Sequence, residues 1–436
     1  MDPRPLRVAL QNVGCKLNHY EVEAFAAGFA GQGFEVVPFG DRADLYVVNT
    51  CTVTGSGDAD SRKAVRRARR ANPQATVVAT GCYAQRQPEA LRQAGAHLVV
   101  GNGDKAGLVA HVQAHLRGGS APSFDPDQRP QTRQFLRIEG GVAQGRTRGS
   151  LQIQDGCDEH CTYCIIPQVR GPGASRPAAE VVAQARGMVA AGYRELALTG
   201  VHTGSYGQDQ GESLVHLLRE LESIEGLQRL RLNSIEPGYL SDRLIEHAVA
   251  SPVLCRHFHV PLQSGDDRIL RRMNRRYTGD YYADRIETLA RRIPGCALGA
   301  DVMVGFPGEG EDQFISTLRL IDALPLTYLH VFSYSLREGT PAQRLEGRVD
   351  EPTKAARTRE LIALGRKKRL EFHRRALGQE LQVLVEEHLD PASGLYTGLS
   401  DNFIRAVFPG RPGLVNCLVE VEVQQAREDL VYGELA

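Results

Sequence analysis

Short apolar runs alternate with amphipathic segments along the first quarter of the chain. The runs LRVALQ, EVVPF, DLYVVN, ATVVAT and HLVVG lie between residues 6 and 101, and helical patterns separate most of them. An alternation of strand and helix is typical of a parallel sheet that is covered by helices. The pattern therefore predicts an open parallel α/β sheet of about five strands, and we assign it to residues 4–118.

A central region, residues 147–375, repeats the strand–helix pattern six times. Its strand candidates are SLQIQD, ELALTG, RLRLNS, HFHVPL, ALGADVM and TYLHVFSY, and its helical patterns lie near residues 178–191, 213–224, 241–250, 266–292 and 311–323. Repeats of this kind predict a partial (β/α)6 barrel, whose active site should lie at the carboxyl ends of the strands.

The chain changes character at residues 376–436, where short alternating runs are separated by Gly, Pro, Asp and Asn. This pattern predicts a small all-β barrel. Residues 119–146, between the first two regions, are rich in Gly, Pro, Ser and charged residues, so they predict a linker. The predicted fold class is α/β, with an all-β domain at the end.

The composition favours a protein of a reducing compartment. No apolar run approaches the roughly 18 residues of a membrane span, and the N-terminal apolar stretch is too short for a signal peptide. The nine cysteines are an odd number, which favours thiolate ligands over disulfides. We therefore expect a cytoplasmic protein without a membrane partner.

Charge is balanced overall but unevenly distributed, because 52 basic and 52 acidic residues cancel. Three basic runs stand out: SRKAVRRARRA, with Arg62, Arg66 and Arg70 on one helical face, RILRRMNRRY, and GRKKRLEFHRR. A single run of this kind is most often a solvated helix face. Three together favour an anionic macromolecule, and RNA above all. The C-terminal region is acidic, which disfavours phosphate contact there.

The most specific signal is the spacing C-x3-C-x2-C of Cys157, Cys161 and Cys164 in the run GCDEHCTYCIIP. Three thiolates so close together can hold three irons of a [4Fe–4S] cluster and leave the fourth iron without a protein ligand. An open iron can bind and reduce a small molecule. The alternative is a zinc site with His160 as the fourth ligand, although zinc ligands usually come as two separated pairs.

Three further cysteines share an equivalent position. Cys15, Cys51 and Cys82 each follow a predicted parallel strand of the first region. The carboxyl ends of such strands meet at one edge, where ligands bind. The sequence therefore predicts a second three-cysteine iron–sulfur cluster, the alternative being three unrelated buried thiols. Cys255, Cys296 and Cys417 have no partner spacing.

Polar residues and glycines follow the strands of the central region, and Arg170 and Arg176 follow the cysteine loop. Taken singly, each is an ordinary loop residue. Together they would line one mouth of the barrel.

The cysteine loop resembles that of the radical S-adenosylmethionine (SAM) enzymes. The resemblance implies that Tyr163 lies near the SAM adenine. It also implies SAM contacts at Thr199, Asn233, Ser234, Glu236, Gln263 and Gly305. The C-terminal region resembles the TRAM domain, an RNA-binding barrel, and the first region is expected to form a flavodoxin-like sheet.

The three regions in this order resemble the methylthiotransferases over nearly the whole chain. The resemblance implies two [4Fe–4S] clusters. One, on Cys157, Cys161 and Cys164, would cleave SAM to a 5′-deoxyadenosyl radical. The other, on the three N-terminal cysteines, would carry sulfur that a second SAM methylates. An external electron donor and a sulfur source are then needed as partners. The competing classes are an iron–sulfur electron carrier or sensor that binds RNA, and a plain SAM-dependent methyltransferase, which needs no six cysteines.

The runs GCKLNHYEVEA, NTCTVTGSGDADSRKAVRRA and TGCYAQRQPE look most like the methylthiotransferases of N6-threonylcarbamoyladenosine at position 37, in the tRNA anticodon loop. The isopentenyl-adenosine type usually has Gln-Met after the first cysteine, and the type that modifies an aspartate of a small-subunit ribosomal protein has Pro. Lys16 occupies that position here. The threonyl group carries a carboxylate, so we expect Arg170 or Arg176 to bind it.

Overall fold

The computed structural model describes residues 4–119, 123–126, 128, 130, 134–138 and 147–436. It has the predicted fold class: parallel α/β sheets in the first two regions and a closed barrel of five strands at the end. Most of the predicted linker, residues 119–146, lies outside the described residues. No described helix is long and apolar enough to cross a membrane.

The N-terminal sheet is parallel throughout, with the strand order β2-β1-β3-β4-β5. Its strands are β1 (Arg7–Asn12), β2 (Glu35–Val37), β3 (Leu45–Thr50), β4 (Thr76–Gly81) and β5 (Leu98–Val99). Its helices are α1 (Lys16–Gly31), α2 (Gly55–Ala71), α3 (Cys82–Arg86), α4 (Pro88–Gln93) and α5 (Leu108–Leu116). Buried apolar clusters cover both faces of the sheet, which is why the strands are apolar runs without alternation.

The central region contains two three-stranded parallel sheets, ordered β10-β9-β6 and β11-β12-β13. Bridges from Leu230 to Leu254 and from Ser234 to His259 connect them into one curved sheet. Its strands are β6 (Arg148–Gln152), β9 (Glu195–Thr199), β10 (Arg229–Leu232), β11 (His257–His259), β12 (Ala297–Val304) and β13 (Tyr328–Ser333). The short strands β7 (Gln154–Asp155) and β8 (Ala174–Ser175) pair separately. The predicted partial barrel is therefore present.

The helices of this region largely follow the predicted pattern. They are α6 (Ile166–Val169), α7 (Ala178–Ala190), α8 (Leu214–Glu222), α9 (Asp242–Ala250), α10 (Asp267–Arg272), α11 (Gly279–Arg292), α12 (Glu311–Ala323) and α13 (Glu351–Arg375). The segment predicted as one helix over 266–292 is two helices. Asn274 has a φ of +58°, a left-handed conformation that cannot continue a right-handed helix.

The C-terminal barrel is closed in the order β14-β15-β16-β18-β17. Its strands are β14 (Glu380–Val385), β15 (Tyr396–Ser400), β16 (Arg405–Phe408), β17 (Leu418–Ala426) and β18 (Val431–Leu435). It packs on the amino ends of the central strands. Arg229, the first residue of β10, donates to the backbone carbonyl of Leu399 at 2.9 Å, and Arg231 donates to those of Ser400 and Asp401, both at 3.0 Å. This barrel therefore lies at the end of the central sheet opposite to its carboxyl edge.

Candidate functional site

The N-terminal cysteines lie where strands end and helices begin. Cys15 is the N-cap of α1, Cys51 follows β3 directly, and Cys82 is the first residue of α3. The parallel pairing of β1 with β3 and of β3 with β4 brings the three together. They are close enough for Cys82 to raise the pKa of Cys15, and for Cys15 and Cys82 to raise the pKa of Cys51. Helix N-termini favour negative charge, so the position suits an anionic iron–sulfur cluster.

A glycine permits this close approach. Gly14 has a φ of +106°, and a Cβ added there would lie 2.6 Å from the Cβ of Cys51 and 2.8 Å from its Sγ. A larger residue at this position would push Cys51 away from Cys15. The conformation and the space both require glycine.

Burial governs the thiols when no metal is bound. It raises the pKa of Cys51 to about 12. Cys15 is exposed to solvent, yet the protein around it displaces enough water to raise its pKa as well. In the central loop, burial raises the pKa of Cys157 and of Cys164 to about 12. Thiols of this kind become thiolates when a cation is bound to them.

The central cysteine loop rests on the break between α10 and α11. The amide of Thr162 donates to the carbonyl of Met273 at 3.0 Å, and the Asn274 side chain donates to the carbonyl of His160 at 2.8 Å. The amide of Cys157 donates to the carbonyl of Gly171 at 3.2 Å. The helix break at Asn274, which the apolar periodicity does not predict, therefore supports the cysteine loop.

One buried arginine reaches this loop. Arg275 donates from Nη1 to the Sγ of Cys161 at 3.3 Å and from Nη2 to a carboxylate oxygen of Glu236 at 2.5 Å. Burial raises the pKa of Glu236, an effect that Arg275 partly offsets. Arg275 belongs to the run RILRRMNRRY, which predicts contact with RNA. Its side chain is buried and holds Cys161 and Glu236 instead.

A second buried arginine reaches the other triad. Arg170 follows α6 and donates from Nε to the Sγ of Cys82 at 3.2 Å. Its Nη1 contacts Glu21 at 3.0 Å and Asp155 at 2.9 Å, and Lys105 contacts the same two carboxylates. Burial would lower the pKa of Arg170, but Asp155, Cys82 and Glu21 together hold it well above its usual value. The network joins the N-terminal sheet to the central barrel.

Arg176 is buried as well. Its Nη1 donates to Gln184 at 2.6 Å, and its Nε lies 3.5 Å from Glu180. Since Arg170 and Arg176 are both buried and held by protein partners, their placement gives no support to the substrate-binding role that we predicted for them.

The residues expected to contact SAM line the carboxyl ends of the central strands, with Tyr163 close to the site in a ring contact with Phe306. They are Thr199, Asn233, Ser234, Glu236, Gln263 and Gly305. Gln263 has a φ of +64°, and its Oε1 is buried without a hydrogen-bond partner among the described residues. Strain and an orphaned acceptor are typical of a ligand site, so the residues present fit a bound cofactor.

Sulfur spacing argues against the zinc alternative. A tetrahedral zinc ion with bonds of about 2.3 Å holds its sulfurs about 3.8 Å apart. Among the described residues, the one group of three ligating side chains whose donor atoms all lie within 4.8 Å is His259, Asp301 and His330. Neither cysteine triad is that compact, and an iron–sulfur cubane, being larger than one ion, needs wider spacing.

The His–Asp–His group is a hydrogen-bonded cluster on three neighbouring strands of the barrel, with His259 buried and His330 exposed. Asp301 accepts from His259 at 2.9 Å and from His330 at 3.3 Å. Burial alone would raise the pKa of Asp301, but these two hydrogen bonds bring it below its usual value. A tyrosine hydroxyl, that of Tyr328, lies 3.0 Å from the Nδ1 of His259. Protein partners therefore already engage Asp301 and His259.

A lysine lies between the two domains at the same edge. Lys16 is exposed, and its Nζ donates to the Oδ1 of Asn233, just after β10, at 3.1 Å. Although solvent reaches the side chain, the protein around it displaces much of its water. This desolvation lowers the pKa of Lys16, and so do the charges of Arg231 and Arg148. In the sequence Lys16 distinguishes only the subfamily, and no local signal predicts its contact with Asn233.

The basic runs differ in exposure. On α2, Arg66 and Arg70 are exposed, whereas Arg62 is half-buried and donates to the hydroxyl of Tyr83. In the run at α10, Arg268 and Arg271 are exposed, whereas Arg272 is half-buried and donates to the carbonyls of Pro307 and Glu346. The face of α2 remains the clearest basic surface beside a cysteine triad.

Comparisons with known proteins agree with this geometry. A model described as the radical SAM superfamily matches residues 151–321, and one described as uncharacterized protein family UPF0004 matches residues 7–101. A solved radical SAM methyltransferase, TsrM of Kitasatospora setae, aligns with a TM-score of 0.59 at 20% identity, over 78% of this chain and 77% of that one. That likeness concerns the fold alone. The fold, the cysteine loop and the family match define a radical SAM enzyme, a class that uses SAM and an iron–sulfur cluster.

Relatives of nearly full length narrow the class. Threonylcarbamoyladenosine tRNA methylthiotransferase MtaB of Bacillus subtilis is 40% identical, over 96% of this chain and 94% of its own. The protein of the same name from Aquifex aeolicus is 38% identical, over 88% and 93%. The tRNA-2-methylthio-N(6)-dimethylallyladenosine synthase of Desulfitobacterium hafniense is 33% identical, over 99% and 97%. The chain belongs to the radical SAM tRNA methylthiotransferase family, and it is an enzyme rather than an electron carrier.

Proposed function

We propose that the protein installs a methylthio group on C2 of N6-threonylcarbamoyladenosine at position 37 of tRNAs. The observation that carries the proposal is the docking of Cys82 against α6 and Arg170. It brings a second set of three cysteines to the edge of the central barrel that holds the loop of Cys157. The Bacillus and Aquifex relatives named for this substrate support the choice of nucleoside.

Each cysteine triad would hold one [4Fe–4S] cluster, giving two per chain. When bound, the clusters and SAM supply the radical chemistry and the sulfur that an aromatic C–H bond requires, since no side-chain acid or base can activate such a bond. An external electron donor and a sulfur source are needed in addition. Gln263, Glu236 and Asn233 would orient SAM, with Tyr163 near its adenine.

The remaining residues would bind and present the RNA. Arg66 and Arg70 of α2, with Arg62 at its edge, would contact backbone phosphates of the anticodon stem-loop. The target base must leave the loop to reach the edge between the domains, and unstacking is least costly in single-stranded RNA. In this proposal residues 4–118 form the sulfur-carrying domain, residues 147–375 the radical SAM core and residues 376–436 a TRAM-like barrel.

A second candidate substrate is N6-isopentenyladenosine, because the Desulfitobacterium relative, named for the dimethylallyl nucleoside, spans almost the whole chain. The test is to reconstitute the enzyme anaerobically and incubate it with tRNAs carrying threonylcarbamoyl, isopentenyl or unmodified adenosine at position 37. Methylthio-nucleosides are then measured by mass. Preferential product from the threonylcarbamoyl tRNA is expected. Preference for the isopentenyl tRNA, or thiolation only of a ribosomal protein aspartate, would overturn the substrate and leave the reaction class standing.

A further inference from the structure

The edge between the N-terminal sheet and the central barrel contains several cations, and nearly all of them are already matched by carboxylates. Arg170 pairs with Glu21 and Asp155, and Arg275 pairs with Glu236. These guanidinium groups are buried and balanced, so they have no charge left for a ligand.

Lys16 differs from these arginines. Its Nζ has one hydrogen bond, to the amide oxygen of Asn233 at 3.1 Å, and no carboxylate within salt-bridge distance among the described residues. An ammonium group has three donors, so two remain for a ligand or for water. The side chain is also exposed, which leaves those donors accessible.

Two arginines lie close enough to Lys16 to repel its ammonium group. Arg231 and Arg148 act on it with the same sign, and Asp301 is the carboxylate that acts against them. Asp301 already accepts hydrogen bonds from His259 and His330. Arg231 and Arg148 have carboxylate partners of their own, Glu195 and Glu386. Of these three cations, Lys16 is the one without a carboxylate at salt-bridge distance among the described residues, and an anion bound to it would relieve the repulsion.

Lys16 also lies between the two cysteine triads, where the proposed function requires the nucleoside to bind. It follows Cys15 of one triad directly, and its partner Asn233 follows a strand of the barrel that carries the other triad. A group that binds Lys16 is therefore held between the two cysteine sets. An apolar substituent at this point would desolvate an ammonium group without giving it a partner, which is costly.

We propose that Lys16 is the residue that determines specificity for the N6 substituent, with its ammonium group binding the carboxylate of the threonylcarbamoyl group. Asn233 is the positioning residue, because its amide oxygen holds the lysine across the gap between the domains. The proposal rests on the proposed function and names the chemistry of its recognition: an anionic substituent paired with one charge-assisted hydrogen-bond donor.

Binding of RNA tests the proposal without turnover. Anaerobically reconstituted full-length enzyme is titrated with anticodon stem-loops carrying threonylcarbamoyl, its carboxamide analogue, which lacks the charge, or isopentenyl at N6. For Lys16→Met we expect binding of the threonylcarbamoyl RNA to weaken about ten- to a hundredfold, as for loss of a hydrogen bond to a charged group. Binding of the other two RNAs should change by less than about twofold, since they lack the carboxylate. Lys16→Arg should restore most of the preference.

Lys63→Met is the matched control, because Lys63 is an exposed lysine on the basic helix α2. Any loss that it causes should be equal for the three RNAs, as expected for a phosphate contact. Iron content of each variant confirms that the clusters are loaded.

Two other results would overturn the assignment. If Lys16→Met keeps the wild-type preference, the carboxylate binds elsewhere. If it lowers SAM affinity and weakens all three RNAs alike, Lys16 serves the carboxylate of SAM. Failure of the proposed function is distinguishable from both, because the wild-type enzyme itself would then prefer the isopentenyl RNA.

Discussion

The two cysteine triads are assembled in opposite ways. Cys157, Cys161 and Cys164 come from one loop, so their proximity is a property of the local chain. Cys15, Cys51 and Cys82 come from the ends of three neighbouring parallel strands and are close only when the sheet has formed. The difference teaches that a spacing motif reveals a site of the first kind, whereas a site of the second kind requires the topology.

The triads also share a feature that neither spacing nor topology predicts. In each, a buried arginine donates to one sulfur: Arg275 to Cys161 at 3.3 Å and Arg170 to Cys82 at 3.2 Å. Arg275 belongs to the same barrel as its cysteine. Arg170 comes from the barrel but reaches the N-terminal sheet, so the geometry of the N-terminal triad depends on how the two domains dock.

The largest expected effect comes from removing each triad in turn. With Cys15, Cys51 and Cys82 changed to Ala, SAM should still be cleaved to 5′-deoxyadenosine, but no methylthio product should form. With Cys157, Cys161 and Cys164 changed to Ala, cleavage itself should stop. Each variant should retain about half of the iron of the wild type, which we expect to bind about eight irons in two clusters.

The control for these variants uses cysteines outside the triads. Replacing Cys255 or Cys417 with Ser should leave the iron content and SAM cleavage unchanged. Normal thiolation by the first triple variant would remove the sulfur-carrier role from the N-terminal cysteines and with it the functional contrast between the triads.

The next largest effect concerns the dependence on docking. Arg170→Gln leaves Glu21 and Asp155 with Lys105 as their remaining cation in this network, and breaking a buried ion pair costs about 3–5 kcal/mol. The midpoint of chemical denaturation should therefore fall markedly. Arg276→Gln, at an exposed arginine, is the control and should change little. Equal midpoints for the two variants would mean that the network does not hold the domains together.

A smaller effect is expected on the reduction potentials of the clusters. A hydrogen bond to a cluster sulfur stabilises the reduced form. Arg170→Lys keeps the charge but loses the Nε donor, so it should lower the potential of the N-terminal cluster, measured by redox titration with EPR detection in a variant that lacks the other triad. Arg275→Lys should do the same for the central cluster. A shift in the opposite cluster would contradict the pairing of arginine with triad.

The smallest effect concerns the surfaces beside the triads. Changing the exposed Arg66 and Arg70 to Glu should weaken tRNA binding. The affinity for tRNA should also depend less on salt, with the log–log slope reduced by about 0.7–0.9 for each phosphate that the protein no longer neutralises. Reversal of Arg268 and Arg271, exposed on α10, gives the matched comparison beside the other triad. A larger change in tRNA affinity and salt dependence from the α10 pair would mean that the RNA binds mainly to the central domain.

Removal of the C-terminal barrel is a poor test of RNA binding in this protein. Arg229 and Arg231, both on β10, donate to main-chain carbonyls of that barrel. Removing the barrel would take these carbonyl acceptors away from two buried guanidinium groups and leave them only Glu195 as a partner among the described residues, so lower stability would mask any effect on RNA. Point changes on α2 avoid this.

Local sequence determined a large part of the architecture. The apolar runs that became β1 to β5 and the strands of the central barrel were predicted because burial on both faces leaves a continuous apolar signature. The loop of Cys157 was evident from spacing alone. Even the meeting of Cys15, Cys51 and Cys82 could be expected, because parallel strands place their carboxyl ends at one edge.

The tertiary structure alone decided what the charged residues do. Arg170, Arg176 and Arg275 look in the sequence like candidates for anion or RNA contact, yet all three are buried and held by protein partners, while Lys16 remains open beside Asn233. The helix break at Asn274 was likewise not predicted from the sequence pattern. Apolar periodicity records which face of an element is buried, and it can be read locally. The partner of a charged side chain, by contrast, depends on which distant element packs against it, and that is settled only when the domains dock.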